Sequence, residues 1–181
     1  MYGWTGSILH INLTDQTTSI ERPCADFLNK TLGGKGMGGH YLRKCADLSW
    51  DDPDMIIALF AGPLVGTTAP TSGRTHLVSK SPLTGLIGDS SVGGKLGTRI
   101  KRAGFDGLVI TGKASSLVGI TIENNCVRIL DATDFKGIDT HSLYQKIKPG
   151  KASLACIGPA AENGVRFSAL MVDQHFCAGR T

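Results

Sequence analysis

The sequence predicts an α+β domain in which two packed, mostly antiparallel β-sheets carry a few short helices. Three observations point there. Short apolar or alternating segments recur at close spacing and outnumber the helical patterns. Glycine makes up 24 of 181 residues, about twice the usual share of roughly 7%, which marks many turns. Long crossover connections are few, so successive strands are expected to run antiparallel. The length suits one domain with a core of useful size.

Ser7 to Leu13 alternates with period two, and Thr18 to Arg22 reads as its partner across a Thr14-Asp15-Gln16-Thr17 turn. Pro23 ends that strand, and Ala25 to Lys30 fits a short helix. Leu32 to Lys44 is glycine-rich, and Gly34, Gly36 and Gly39 match G-x-G-x-x-G. A dinucleotide fingerprint should follow a strand inside a βαβ unit. The preceding Asp26 to Leu32 does not read as a buried strand, so close packing of a helix near residues 37–45 is the expected use of these glycines. Lys35 and His40 are then expected to be solvated or supporting groups. Met55 to Ala61 is a continuous apolar run and reads as a buried strand.

The stretch from Gly62 to Gly97 organises the rest. It is rich in Gly, Pro, Ser and Thr, and only Thr75 to Lys80 alternates like a strand. Such backbone is costly to order and suits tight turns or close approach to a ligand. Arg74 is the only charge between Gly62 and His76. Ser90 and Ser91 lead into Val92-Gly93-Gly94-Lys95, which reads as a helix start able to meet an anion. A helix over Val92 to Ala103 would bury Val92, Leu96, Ile100 and Ala103 and show Lys95, Arg99 and Arg102 on another face. The expectation is a backbone-lined cradle for a phosphate-bearing ligand. The plainer alternative is a set of connections in a β-rich domain. Gly88 to Lys95 is not a P-loop, because five residues rather than four separate Gly88 from Gly94-Lys95, and Leu96 follows the lysine.

Farther on, Gly107 to Thr111 reads as a strand. Leu117 to Glu123 and Cys126 to Leu130 form a hairpin about Asn124-Asn125, since Asn tolerates positive φ. His141 to Lys148 fits a helix, Ala152 to Ile157 a strand, Gly158 to Gly164 a tight loop and Val165 to Val172 a last strand. Asp173 to Thr181 reads as a polar tail.

Composition narrows the function classes. A net charge of +4 with 6% aromatics is too weak a signal for nucleic acid. No apolar run is long enough to span a membrane. MYGWTGSILH lacks the features of a secretory signal. The five cysteines lie at least 21 residues apart, without C-x-x-C, so no local zinc or iron–sulfur motif exists. Reduced thiols in a cytoplasm are expected.

Taken together, Tyr2-Gly3-Trp4-Thr5-Gly6, Gly62-Pro63-Leu64-Val65-Gly66, Ala69-Pro70-Thr71-Ser72-Gly73-Arg74, Lys80-Ser81-Pro82-Leu83-Thr84-Gly85, Arg102-Ala103-Gly104-Phe105-Asp106, Gly158-Pro159-Ala160-Ala161-Glu162-Asn163 and Ala178-Gly179-Arg180 stand in a recognisable order. The chain resembles, over essentially its whole length, the N-terminal domain of the tungsten-containing aldehyde:ferredoxin oxidoreductases. That resemblance implies a base of two β-sheets carrying tungstopterin, a bis-molybdopterin with tungsten or occasionally molybdenum, and a Mg2+ bridging the pterin phosphates. It implies oxidation of an aldehyde to a carboxylic acid, with two electrons passed to ferredoxin through a 4Fe-4S cluster. The cluster cysteines and catalytic groups belong to family domains expected to lie outside this chain, in the same enzyme or a separate subunit. These residues alone are therefore expected to be inactive. Self-association through exposed apolar surface is also expected.

By position, Arg74 matches a pterin-contacting arginine, Ser91 stands where the family usually has asparagine, and Gly93 matches a pterin-contacting glycine. The family's His-Arg-Ala-Ala-Gly-Arg corresponds to His175 through Arg180. Phe176 thus replaces a pterin-contacting arginine and Cys177 the neighbouring alanine, while Arg180 is retained. A lost charge-assisted contact is worth roughly 1.5–3 kcal/mol. Two further readings stay open: a non-catalytic module of this fold without the cofactor, and a mononucleotide- or phosphate-binding domain using Gly34 to Gly39.

Overall fold

The computed structural model describes residues 3–179. Its centre is a six-stranded sheet made of β1 (Ile8–Asn12), β2 (Thr17–Glu21), β3 (Ile57–Ala61), β4 (Thr75–Lys80), β5 (Ile87–Val92) and β6 (Gly107–Thr111), in the order β2-β1-β6-β3-β4-β5. Only the β1–β6 pairing is parallel. β7 (Val118–Glu123) and β8 (Cys126–Asp131) form a two-stranded sheet, and β9 (Ala155–Cys156), β10 (Leu170–Val172) and β11 (Phe176–Ala178) a three-stranded one. The α+β class with mostly antiparallel strands matches the sequence expectation, with the strands divided among three sheets.

The central sheet is buried on both faces, and its alternation sorts the core. Ile8, Ala58, Phe60, Val78 and Val109 pack on one face against Leu28, Met37, Tyr41 and Leu42. Those four come from α1 (Ala25–Thr31) and α2 (Gly34–Leu42). Leu9, Ile11, Leu59 and Leu108 pack on the other face with Ile100 of α3 (Leu96–Arg102) and with Ile120, Ile122, Val127 and Ile129 of the β7–β8 hairpin. The hairpin turn is made as expected, with Asn124 at φ 47° and Asn125 at φ 65°. α4 (Thr140–Ile147) is capped by Asp139, whose carboxylate accepts from the His141 and Ser142 amides.

The glycine-rich segment after residue 32 follows a helix and itself forms α2, so it is no dinucleotide fingerprint. Its glycines serve packing. A Cβ on Gly38 would lie 2.6 Å from Val78 Cγ2, and one on Gly34 would lie 2.9 Å from His76 Cδ2.

Three expectations are corrected. Val92 does not open a helix: it ends β5, pairs with Thr75 and is buried, and α3 begins at Leu96. Gly94, at φ 88°, makes the break between them. The final strand is only Leu170–Val172, and the loop before it contains a one-turn helix, α5 (Pro159–Glu162). The tail expected to be irregular contributes β11, which pairs with β10 at Met171↔Cys177.

Lys101 and Asp106 lock the N-terminal segment to this frame. Asp106 is 1% exposed and accepts from the Thr5 amide at 2.9 Å, the Gly6 amide at 2.8 Å and Lys101 Nζ at 2.6 Å. Lys101 also donates to the Gly3 carbonyl at 2.6 Å.

Candidate functional site

Strands β4 and β5 run antiparallel, with Thr75 opposite Val92 and His76 opposite Ser91. The pairing brings two loop ends together: Gly73-Arg74 entering β4 and Gly93-Gly94 leaving β5. Arg74 is exposed, and its Nη1 donates to the Ser91 carbonyl at 3.2 Å. This bond holds the guanidinium at the mouth of an open cleft of about 310 Å³ lined by Thr71, Gly73, Arg74, Gly93, Gly94 and Phe176.

The third wall comes from the β10–β11 hairpin. Val172 pairs with Phe176, and the turn between them places Asp173 at φ 48° and Gln174 at φ 67°. This left-handed backbone is uncommon for residues other than glycine, and the bonds of Asp173 hold it. Its Oδ2 accepts from the Lys95 amide at 2.7 Å, and its Oδ1 accepts from Ser153 Oγ at 2.8 Å and from the Leu154 amide at 3.2 Å. One carboxylate thus joins the approach to α3, the start of the β9 segment and the hairpin. Beneath it, Val172 and Ala178 pack on Val92.

This changes the reading of the helix start. The amide of Lys95, expected to be open to an external anion, is already met by the protein's own carboxylate. What remains toward the cleft is Arg74, the glycine backbone and the Phe176 ring.

On the α2 face of the same strand pair, Asp89 takes Lys35 Nζ at 2.6 Å on Oδ2 and His76 Nδ1 at 3.2 Å on Oδ1. Burial pushes the Asp89 carboxyl up, but the hydrogen bonds and charges of Lys35 and His76 outweigh it and hold it below the usual carboxylate value. Lys35, expected to be a solvated or supporting group, is a largely exposed ion-pair partner of the central sheet. His40 packs edge-on to Phe27 and Tyr41.

Of the residues singled out from the sequence, Arg74, Ser91 and Gly93 converge here. Cys177 does not face the cleft: alternation along β11 sets it on the side opposite Phe176 and Ala178, and it is exposed. Arg180 lies outside the described residues. Asp173 was not anticipated, and nothing local marks it, because its partners lie about 20 and 78 residues away. Among the described residues, no group of three or more His, Cys, Asp or Glu side chains could hold a metal ion, and no helix is long and apolar enough to cross a membrane.

The model of the aldehyde ferredoxin oxidoreductase N-terminal domain matches residues 8–181. The chain belongs to that family. It is 40% identical to a tungsten-containing aldehyde ferredoxin oxidoreductase of Pyrococcus abyssi (strain GE5 / Orsay), the match covering 99% of this chain and 31% of the relative. It is 33% identical to an aliphatic sulfonate oxidoreductase, WOR-like subunit, of Pyrococcus furiosus, covering 99% of this chain and 32% of the relative. The chain therefore spans about a third of the length of the curated relatives it matches. Among solved structures, the active-site complex BamBC of benzoyl coenzyme A reductase in complex with 1,5-dienoyl-CoA superposes with a TM-score of 0.92 at 29% identity, over 99% of this chain and 28% of the other.

Membership of the aldehyde ferredoxin oxidoreductase family implies tungstopterin, and the cleft can be tested against it. The group has anionic phosphates and planar rings. The cleft offers one exposed guanidinium, backbone with no side chain in the way at Gly73, and the aromatic ring of Phe176. That donor set suits one anionic substituent beside one planar ring, so the residues present fit an arm of the cofactor.

Proposed function

We propose that this chain is the cofactor-cradling domain of a tungsten or molybdenum bis-pterin oxidoreductase that converts aldehydes to carboxylic acids. The observation that carries the reading is the convergence of Arg74, Ser91, Gly93 and Gly94 on one cleft. Arg74 would hold a phosphate of the pterin by charge-assisted hydrogen bonds, and Ser91 holds Arg74 in place through its carbonyl. Gly73 lets the ligand come near the backbone. The metal centre would supply the two-electron redox chemistry, taking an aldehyde and water to a carboxylic acid, two protons and two electrons. Mg2+, a 4Fe-4S cluster and ferredoxin as electron acceptor would complete the reading, with the cluster borne by domains beyond these residues or by a separate subunit. The five free cysteines suit a cytoplasmic setting.

The test is the tungsten, molybdenum and pterin content of the protein purified from its native host. Stoichiometric metal and pterin are expected, and Arg74→Ala should lose both while remaining folded. Absence of metal and pterin from the wild-type protein, or their full retention in Arg74→Ala, sinks the assignment.

A further inference from the structure

The glycines that first suggested a phosphate cradle are already in use. A Cβ on Gly93 would lie 2.9 Å from Phe176 Cδ1 and 3.0 Å from Cε1. A Cβ on Gly94 would lie 3.0 Å from Cδ2 and 3.4 Å from Cε2 of the same ring. One edge of the ring sits above each glycine, so the ring straddles the Gly93–Gly94 peptide. Any side chain at Gly93 would collide with it. At Gly94 the left-handed φ of 88° also favours glycine.

A ring seated this way packs against the two glycines, and part of it stays open to the cleft. Phe176 is 40% exposed and lines the cleft with Arg74. It is also held firmly. Its strand partner is Val172, which is fully buried, and the hairpin it belongs to is pinned by the three hydrogen bonds of Asp173. A rigid aromatic face costs little conformational entropy to use, and stacking on one is a recurring way to hold a planar heterocycle.

We propose that Phe176 is a stacking platform that determines which part of a ligand this half of the cleft takes: a planar heteroaromatic ring over Phe176, with its anionic substituent reaching Arg74. The Gly93–Gly94 peptide is then a seat for the platform, and no phosphate contacts it. The inference rests on the cofactor-cradle reading for the location of the site and goes beyond it in naming the specificity-determining residue and the ligand moiety.

The experiment uses the purified chain and two probes, pterin-6-carboxylate as a planar ring with an anion and inorganic pyrophosphate as an anion alone, each titrated by equilibrium dialysis. Phe176→Leu keeps an apolar side chain over the glycines but removes the ring, and Phe176→Tyr keeps the ring. The platform requires Phe176→Leu to weaken pterin-6-carboxylate about tenfold, Phe176→Tyr to bind it as the wild type does, and pyrophosphate affinity to stay the same in both. Arg74→Ala should weaken both probes. Equal pterin-6-carboxylate binding by wild type and Phe176→Leu overturns the platform, as does its loss in folded Phe176→Tyr. Wild-type protein that binds neither probe overturns the site itself. Failure of the cofactor reading shows separately, as native protein without tungsten, molybdenum or pterin that still binds the ring probe.

Discussion

Two adjacent glycines of α2 offer a controlled test of why this helix is so rich in glycine. Gly38 faces the sheet: its added Cβ would lie 2.6 Å from Val78 Cγ2 and 2.8 Å from Val78 Cβ. Val78 is fully buried, so its side chain has nowhere to turn. Gly39 has no atom within 4 Å of the equivalent position. Replacing either with alanine removes the glycine penalty in a helix interior, a gain of about 1 kcal/mol. That gain is common to both variants and cancels in the comparison. What remains is the overpacking at Gly38, about 1–3 kcal/mol. The clash involves Val78 Cβ as well as a terminal methyl, so the helix itself must shift, which argues for the upper half of that range. Urea unfolding followed by far-UV circular dichroism should show Gly39→Ala more stable than wild type and Gly38→Ala less stable than Gly39→Ala by that margin, with similar m-values. Gly38→Ala as stable as Gly39→Ala would refute the claim that glycine here permits helix–sheet contact.

The Lys101–Asp106 pair has side chains 9% and 1% exposed. Lys101→Met should cost about 3–5 kcal/mol, because it strands a buried carboxylate, whereas Lys30→Met at the exposed Lys30–Asp26 pair should change stability by no more than about 0.5 kcal/mol. Thermal unfolding of the two variants checks the contrast. Asp89 makes a pH prediction. Its folded pKa lies below its unfolded value, near 3.9 for an aspartate, so the stability it contributes is present above that pH and is lost as pH falls through the folded pKa. The stability gap between wild type and Asp89→Asn should therefore close in acid, below about pH 4. A gap independent of pH in acid would show that the Lys35 and His76 bonds do not favour the charged form. Asp173→Ala should release the β10–β11 hairpin and speed amide hydrogen exchange at Lys95 and Leu154. Unchanged exchange at both amides would contradict its role as the clasp.

Much of the frame was legible because its signals are local. The β1–β2 hairpin alternates within a dozen residues, β3 is a run of apolar residues, and Asn124-Asn125 marks its turn by backbone conformation alone. The reading failed where a segment's state depends on a distant partner. Ile87–Val92 carries Gly88, Asp89, Ser90 and Ser91, which have little preference for a strand. It becomes one because β4 supplies the hydrogen bonds and because Lys35 and His76 pair with Asp89. Phe176–Ala178 likewise extends only because β10 lies beside it.

The candidate site divides along the same line. Residue types and their order identified the family and the α+β class, and singled out Arg74, Ser91 and Gly93, which the fold brings close together. Those features are written in chemistry that each position carries alone. That Asp173 meets the Lys95 amide, that Cys177 turns away from the cleft, and that Phe176 lies across two glycines emerge only when β5, α3 and the β10–β11 hairpin pack together. The contact from Asp173 to Lys95 spans 78 positions. No periodicity along a chain encodes an encounter at that separation; it follows from burying Val92, Val172 and Ala178 against one another.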